Sequence, residues 1–163
     1  MTSPATTDLP DVAAIIGQVL TRVPAEQQPL LIAIAERMAA RRYRDWARAA
    51  PDAERAERLQ ACADREEEIA RRVEALHPEA ETIQNCIRTA NPDLEEINRT
   101  IFSGRPLGQQ LAIQARGERL GAATWRAFAQ REPHAAHSEV YLACAELEER
   151  SALVLEAIID AEI

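Results

Sequence analysis

Proline sets the frame within which this chain can fold. A proline inside a helix removes a backbone hydrogen bond and clashes with the preceding turn, so helices start or stop near it. Pro24 and Pro29 open a segment over about residues 30–50, and Pro51 with Asp52 starts a second that runs to about residue 76, before His77-Pro78. A third stretch, about residues 78–102, carries Asn91-Pro92 in its middle and reads as a broken crossover. Ser103-Gly104-Arg105-Pro106 then leads into a segment over residues 107–131, and Pro133 stands in the first turn of a last segment that reaches about residue 159. A short amphipathic helix over residues 11–20 precedes them all. Between the prolines the chain is rich in Ala, Leu, Glu and Arg, with only 5 Gly, which favours helix and leaves little material for strands. The expectation is an all-α fold. Two helices, a long connection and two more helices is one of the ways to build a four-helix bundle with a long crossover.

With 163 residues, 47% hydrophobic, the chain has the material for one domain with its own core, expected over residues 11–163 after a flexible N-terminus of residues 1–10. The net charge is −8 and all 19 basic residues are Arg, with no local basic patch, which argues against nucleic acid as a partner. No apolar run reaches the roughly 20 residues that span a bilayer. The first residues lack the basic start and apolar run of a signal peptide, so the expected location is cytoplasmic and no membrane partner is expected. Cys62, Cys86 and Cys144 lie too far apart for a zinc cluster, and the odd count does not suit a disulfide framework; they read as small apolar fillers.

Spacing of three and four residues shows what each long helix turns inward. The first has Ile32, Glu36, Ala39, Tyr43 and Trp46 on one face; the second has Leu59, Cys62, Glu66, Ile69, Val73 and Leu76. The third has Leu107, Leu111, Gln114, Glu118, Ala122 and Trp125, and the last has Tyr141, Cys144, Glu148, Ala152, Leu155 and Ile159. Every helix thus sets one glutamate near the middle of an otherwise mainly apolar stripe. Burying an ionised carboxylate is costly unless it is paired, protonated or metal-bound. Four such positions ask for a compensating partner.

The surrounding motifs resemble those of one family. The segment Glu36-Arg-Met-Ala-Ala-Arg-Arg-Tyr43-Arg-Asp-Trp46-Ala is similar to the first-helix motif of the rubrerythrins, in the ferritin-like superfamily. Asp64-Arg65-Glu66-Glu67-Glu68-Ile69-Ala70-Arg71-Arg72 resembles the second, Gly117-Glu118-Arg119-Leu120-Gly121 with Thr124-Trp125-Arg126-Ala127-Phe128-Ala129 the third, and Ala145-Glu146-Leu147-Glu148-Glu149-Arg150-Ser151 the fourth. The likeness covers about residues 28–158. It implies a ferritin-like four-helix bundle with Glu36, Glu66, Glu118 and Glu148 as metal ligands. The implied cofactor is a divalent metal, Fe or Mn, or none if the site is degenerate. A homodimer is implied too, because the family and the short N-terminal helix both point to further burial, and an unknown protein partner is a further expectation.

The departures from the family pattern are specific. Ile69 stands where histidine would follow Glu66, and Arg150 and Ser151 stand where histidine would follow Glu148. Gly121 replaces a further glutamate, and no CxxC pair exists for a rubredoxin-like iron centre. Four oxygen ligands suit hard ions such as Mg²⁺ or Mn²⁺ better than a nitrogen-assisted iron pair.

Three readings follow: a surviving metal site of ferroxidase or peroxidase type; a degenerate bundle, catalytically weak or serving as a binding or scaffold module, whose acids are paired with inward arginines or share protons; and an unrelated helical protein whose glutamates are solvated near helix ends. The arginines around Glu68, Arg65 and Arg72, read as part of a solvated face. His77, His134 and His137 read as surface residues, His137 lying about 16 Å along the helix from Glu148. Tyr43, Trp46, Trp125 and Tyr141 read as bundle packing.

Overall fold

A computed structural model describes residues 9–162 of the chain; the expected flexible N-terminus falls almost wholly outside the described residues. Among these residues the structure is helical throughout, with no strand. The elements are α1 (Val12–Leu20), a single 3-10 turn (Ala25–Gln27), α2 (Gln28–Arg48), α3 (Ala53–Ala75), α4 (Ala80–Ala90), α5 (Leu94–Phe102), α6 (Leu107–Arg131) and α7 (Ala135–Ala161). No described helix is long and apolar enough to cross a membrane.

Local chemistry sets the boundaries. Asp11 caps α1 by accepting from the Ala14 N–H at 3.0 Å, and Asp52 caps α3 by accepting from the Arg55 N–H at 2.8 Å. Pro29 sits in the first turn of α2, where its missing N–H costs nothing. Gly104 takes a positive φ of 76° in the turn before α6, a conformation that glycine adopts without strain. Asn91-Pro92 separates α4 from α5, so the crossover is two short helices.

The long helices form two antiparallel hairpins, α2 with α3 and α6 with α7, and the hairpins join where α3 meets α7. At one end of the molecule the start of α2, the last turn of α6 and the start of α7 meet around Pro29, Arg131 and His137. At the other, Arg55 at the start of α3 pairs with Glu162 just past α7. The crossover therefore runs the length of the molecule, and α3 and α6 point the same way. α1 lies against α6 of its own chain.

The apolar interior falls into two clusters. One, toward the first end, includes Leu30, Ile69, Val73, Trp125, Phe128 and Tyr141. The other, toward the opposite end, includes Trp46, Leu59, Leu111, Leu155 and Ile158. Burying each such side chain contributes roughly 1.5–3 kcal/mol. The stripes read from the sequence supply most of the second cluster, whereas most of the first, including Leu30, Met38 and Phe128, comes from residues outside them. Of the stripe residues, Leu107 is the exception: expected on the inward face, it stands in the first turn of α6, where no helix covers it, and is exposed. Cys62 and Cys144 are buried as expected, whereas Cys86 is exposed on the outer face of α4 beside Thr82, Asn85 and Thr89.

Candidate metal centre

The four glutamates lie in a polar layer between the two apolar clusters. Glu36, Glu66, Glu118 and Glu148 are 7%, 0%, 1% and 2% exposed, which excludes the reading in which they are solvated at helix ends. Glu36 from α2, Glu66 from α3 and Glu148 from α7 each present one oxygen within 4.8 Å of the other two. Glu118 from α6 adjoins both Glu66 and Glu148. The mid-helix position of each acid in its stripe is what brings all four to one level.

Two of the four are held by neutral donors. Glu118 Oε1 accepts from the Tyr43 hydroxyl at 2.6 Å and from Gln114 Nε2 at 2.9 Å. Gln114 is itself oriented by Arg42, whose Nε and Nη2 donate to Gln114 Oε1 at 3.1 and 2.7 Å. That contact fixes which end of the amide faces Glu118. Arg42 also donates to Asn98 Oδ1 at 2.9 Å and lies over the Phe102 ring at 3.8 Å. Burial pulls its guanidinium down to about 10. On the other side of the layer, Trp125 Nε1 donates to Glu148 Oε1 at 3.0 Å while its indole stacks on Tyr141.

Three other oxygens have no such support. Both oxygens of Glu66, and Oε2 of Glu118, are buried without a donor; what adjoins Glu66 is other carboxyl groups, those of Glu36 and Glu118. No arginine forms an ion pair with any of the four among the described residues, so the expectation of inward arginines is not met. The charged side chain nearest to that role, Arg42, reaches the layer only through Gln114. Arg65, read from the sequence as part of a solvated face, instead turns inward and donates to Ser151 Oγ at 2.9 Å and Cys62 Sγ at 3.1 Å. Arg72 does pair with Glu68 on the surface, as expected.

Burial pushes the Glu66 and Glu148 carboxyls well above the usual range, and the neighbouring glutamates push them further. Glu36 is also raised by burial, partly offset by its contacts with Glu66 and Glu148. Burial, then the charge of Glu118, likewise lifts the Tyr43 phenol, which remains a donor.

The two positions where the family resemblance implies histidine are occupied by groups committed elsewhere. Ile69 is fully buried in the first apolar cluster, and Ser151 is fully buried in the contact with Arg65. All donors at the layer are therefore carboxylate oxygens, which match hard divalent ions. Charge agrees: two divalent ions balance four carboxylates, and unpartnered buried oxygens are the groups such ions satisfy. The residues fit a metal.

Sequence reasoning placed Tyr43 and Trp125 as packing; both pack, and both also hold a glutamate. Spacing already put Gln114 one turn before Glu118, but Arg42 and Asn98 come from separate elements and left no local signal. His77, His134 and His137, read singly as surface residues, line one pocket at the end of the molecule, with His137 Nδ1 4.0 Å from Glu132. No family model matches the chain, and comparison with curated proteins and with solved structures finds no match.

Proposed function

We propose that this chain is a ferritin-like bundle protein, similar to the rubrerythrins, that binds divalent metal through Glu36, Glu66, Glu118 and Glu148. The observation that carries this reading is the set of oxygens on Glu66 and Glu118 that lack a donor, in a layer where, among the described residues, no cationic side chain pairs with any of the four glutamates and Arg42 reaches them only through Gln114. An ionised carboxylate in that position costs several kcal/mol unless a proton or a cation compensates it. Iron or manganese held there supplies Lewis-acid and one-electron chemistry.

The chain's own residues define what the site can do. Tyr43 and Gln114 keep Glu118 turned into the layer, and Trp125 keeps Glu148 there. Supporting contacts of this kind orient ligands and tune a metal, and losing one typically costs 10–100-fold in affinity or activity. Without imidazole ligands, and with Gly121 in place of a further carboxylate, ferroxidase or peroxidase turnover is weak. The second reading, a degenerate bundle serving as a binding or scaffold module, is favoured by the same replacements at Ile69 and Ser151; it requires the four carboxyls to share protons.

Metal analysis of protein purified without chelator, together with an iron-dependent peroxide-reduction assay, separates these readings. Stoichiometric metal with slow turnover supports the first. Metal-free protein that takes up no added Mn²⁺ or Fe²⁺ supports the second.

A further inference from the structure

α6 has two glycines in its middle, and the carboxylate layer accounts for only one. A Cβ on Gly121 would strike Glu148, whereas a Cβ on Gly117 would meet no atom within 4 Å. Glycine inside a helix costs roughly 0.5–1 kcal/mol relative to alanine. Close packing therefore does not explain Gly117; it faces open space.

That space is a cavity of about 120 Å³ between α2 and α6. Ile32, Ala35 and Ala39 form its α2 wall, and Ile113, Gly117 and Leu120 its α6 wall. Val12 and Ile16 of α1 and Asn98, Ile101 and Phe102 of α5 border it, and it is partly open to solvent. Its floor is the carboxylate layer itself, formed by Glu36, Glu118 and Glu148. Glu118 is 1% exposed and its Oε2 has no partner, so an unsatisfied buried acceptor belongs to the floor.

We propose that this cavity binds a small, uncharged, largely apolar organic molecule beside the carboxylate layer. The inference deepens the proposed function and rests on that reading for the molecule's role as a substrate, but not for its binding. Size follows from volume: a dry apolar cavity of about 150 Å³ accepts benzene, so this smaller one of about 120 Å³ holds about five or six non-hydrogen atoms, and the methyl group of a ring such as toluene would lie at its open edge. Charge follows from the lining. An anion would approach three carboxylates, and the Arg42 guanidinium at the edge is already engaged by Gln114 and Asn98. The aliphatic walls would strip water from any charged group without replacing it.

Toluene is the probe, titrated into the full metal-free chain and followed by backbone amide NMR. The expected result is saturable binding with Kd of about 1 mM or tighter, with shifts centred on Ile16, Ala35, Gly117 and Gly121. Gly117→Leu, which grows into the cavity, weakens binding at least tenfold. Ala35→Leu fills it from α2 with the same result, and so covers a failure of the first variant to fold. No saturable binding, shifts centred elsewhere, or equal binding by a folded Gly117→Leu or Ala35→Leu overturns the proposal. Mn²⁺ uptake by the wild type is measured separately. Toluene binding without metal uptake leaves the pocket standing and removes the metal centre; metal uptake without toluene binding does the reverse.

Discussion

The carboxyl group of Glu148 occupies the place where a side chain at position 121 would begin. A Cβ built on Gly121 lies 2.8 Å from Glu148 Cδ and Oε1 and 3.0 Å from Oε2. Gly121, which the sequence presents as the loss of a carboxylate, is therefore what lets Glu148 lie against α6 and accept from Trp125.

Gly121→Ala should displace Glu148 and break that contact. The gain in helix propensity of about 1 kcal/mol offsets the local strain, so the metal-free protein changes in stability by less than about 1 kcal/mol. Metal affinity falls at least tenfold. Parallel urea unfolding and Mn²⁺ titration check this, and unchanged affinity would remove Glu148 from the ligand set.

Glu66→Gln removes the charge of the acid with no donor at either oxygen. In chelator-treated protein at neutral pH it should stabilise the fold by roughly 1–3 kcal/mol, which raises Tm by about 2–4 °C per kcal/mol in a chain of this size. Saturating metal should then raise the Tm of the wild type and not that of the variant. A variant that melts lower than the wild type in chelator would contradict this account of the layer.

The raised carboxyls of Glu36, Glu66 and Glu148 set the pH dependence of the metal-free protein. Their folded-state pKa values lie above the unfolded values, so the folded chain binds protons more tightly. Their contribution is fully present below the unfolded value of about 4.3 and is lost as pH rises through the folded values. Metal-free protein should thus lose stability as pH rises above that unfolded value. Metal competes with those protons, so the stabilisation it adds should grow over the same rise in pH. Melting curves across pH, with and without Mn²⁺, give the two slopes; slopes of the same sign would count against metal binding at these acids.

Tyr43→Phe takes one of two donors from Glu118 Oε1. Losing a hydrogen bond to a buried acceptor costs about 1–3 kcal/mol, read from urea unfolding of the metal-free protein. A loss below about 0.5 kcal/mol would mean that Gln114 alone holds Glu118.

Much of this architecture is legible from spacing. Glu36, Glu66, Glu118 and Glu148 each fall in register with apolar neighbours three and four residues away, and a helix has only one way to present such a stripe to a core. The break at Asn91-Pro92 is legible because proline constrains the residue before it as well as its own turn. What was not legible depends on meetings between distant segments. Arg42 reaches Asn98 and Gln114 from three different helices, and nothing local to any of them announces the contact. Arg65 looks like one more surface arginine until Ser151 on α7 accepts its hydrogen bond. The pocket of three histidines forms only because the last residue before Pro78 and the turn between α6 and α7 arrive at the same end of the molecule. Leu107 shows the opposite error: the stripe continues in sequence after the neighbouring helix has ended.

Metal uptake by chelator-stripped wild type and by Glu66→Gln tests the central claim most directly. Each is equilibrated with Mn²⁺ or Fe²⁺, passed over a desalting column and assayed for bound metal per chain. The account predicts about two ions per wild-type chain, from four carboxylates and divalent charge, and a loss of most of that metal in the variant. Wild-type protein that retains no more metal than Glu66→Gln would contradict it.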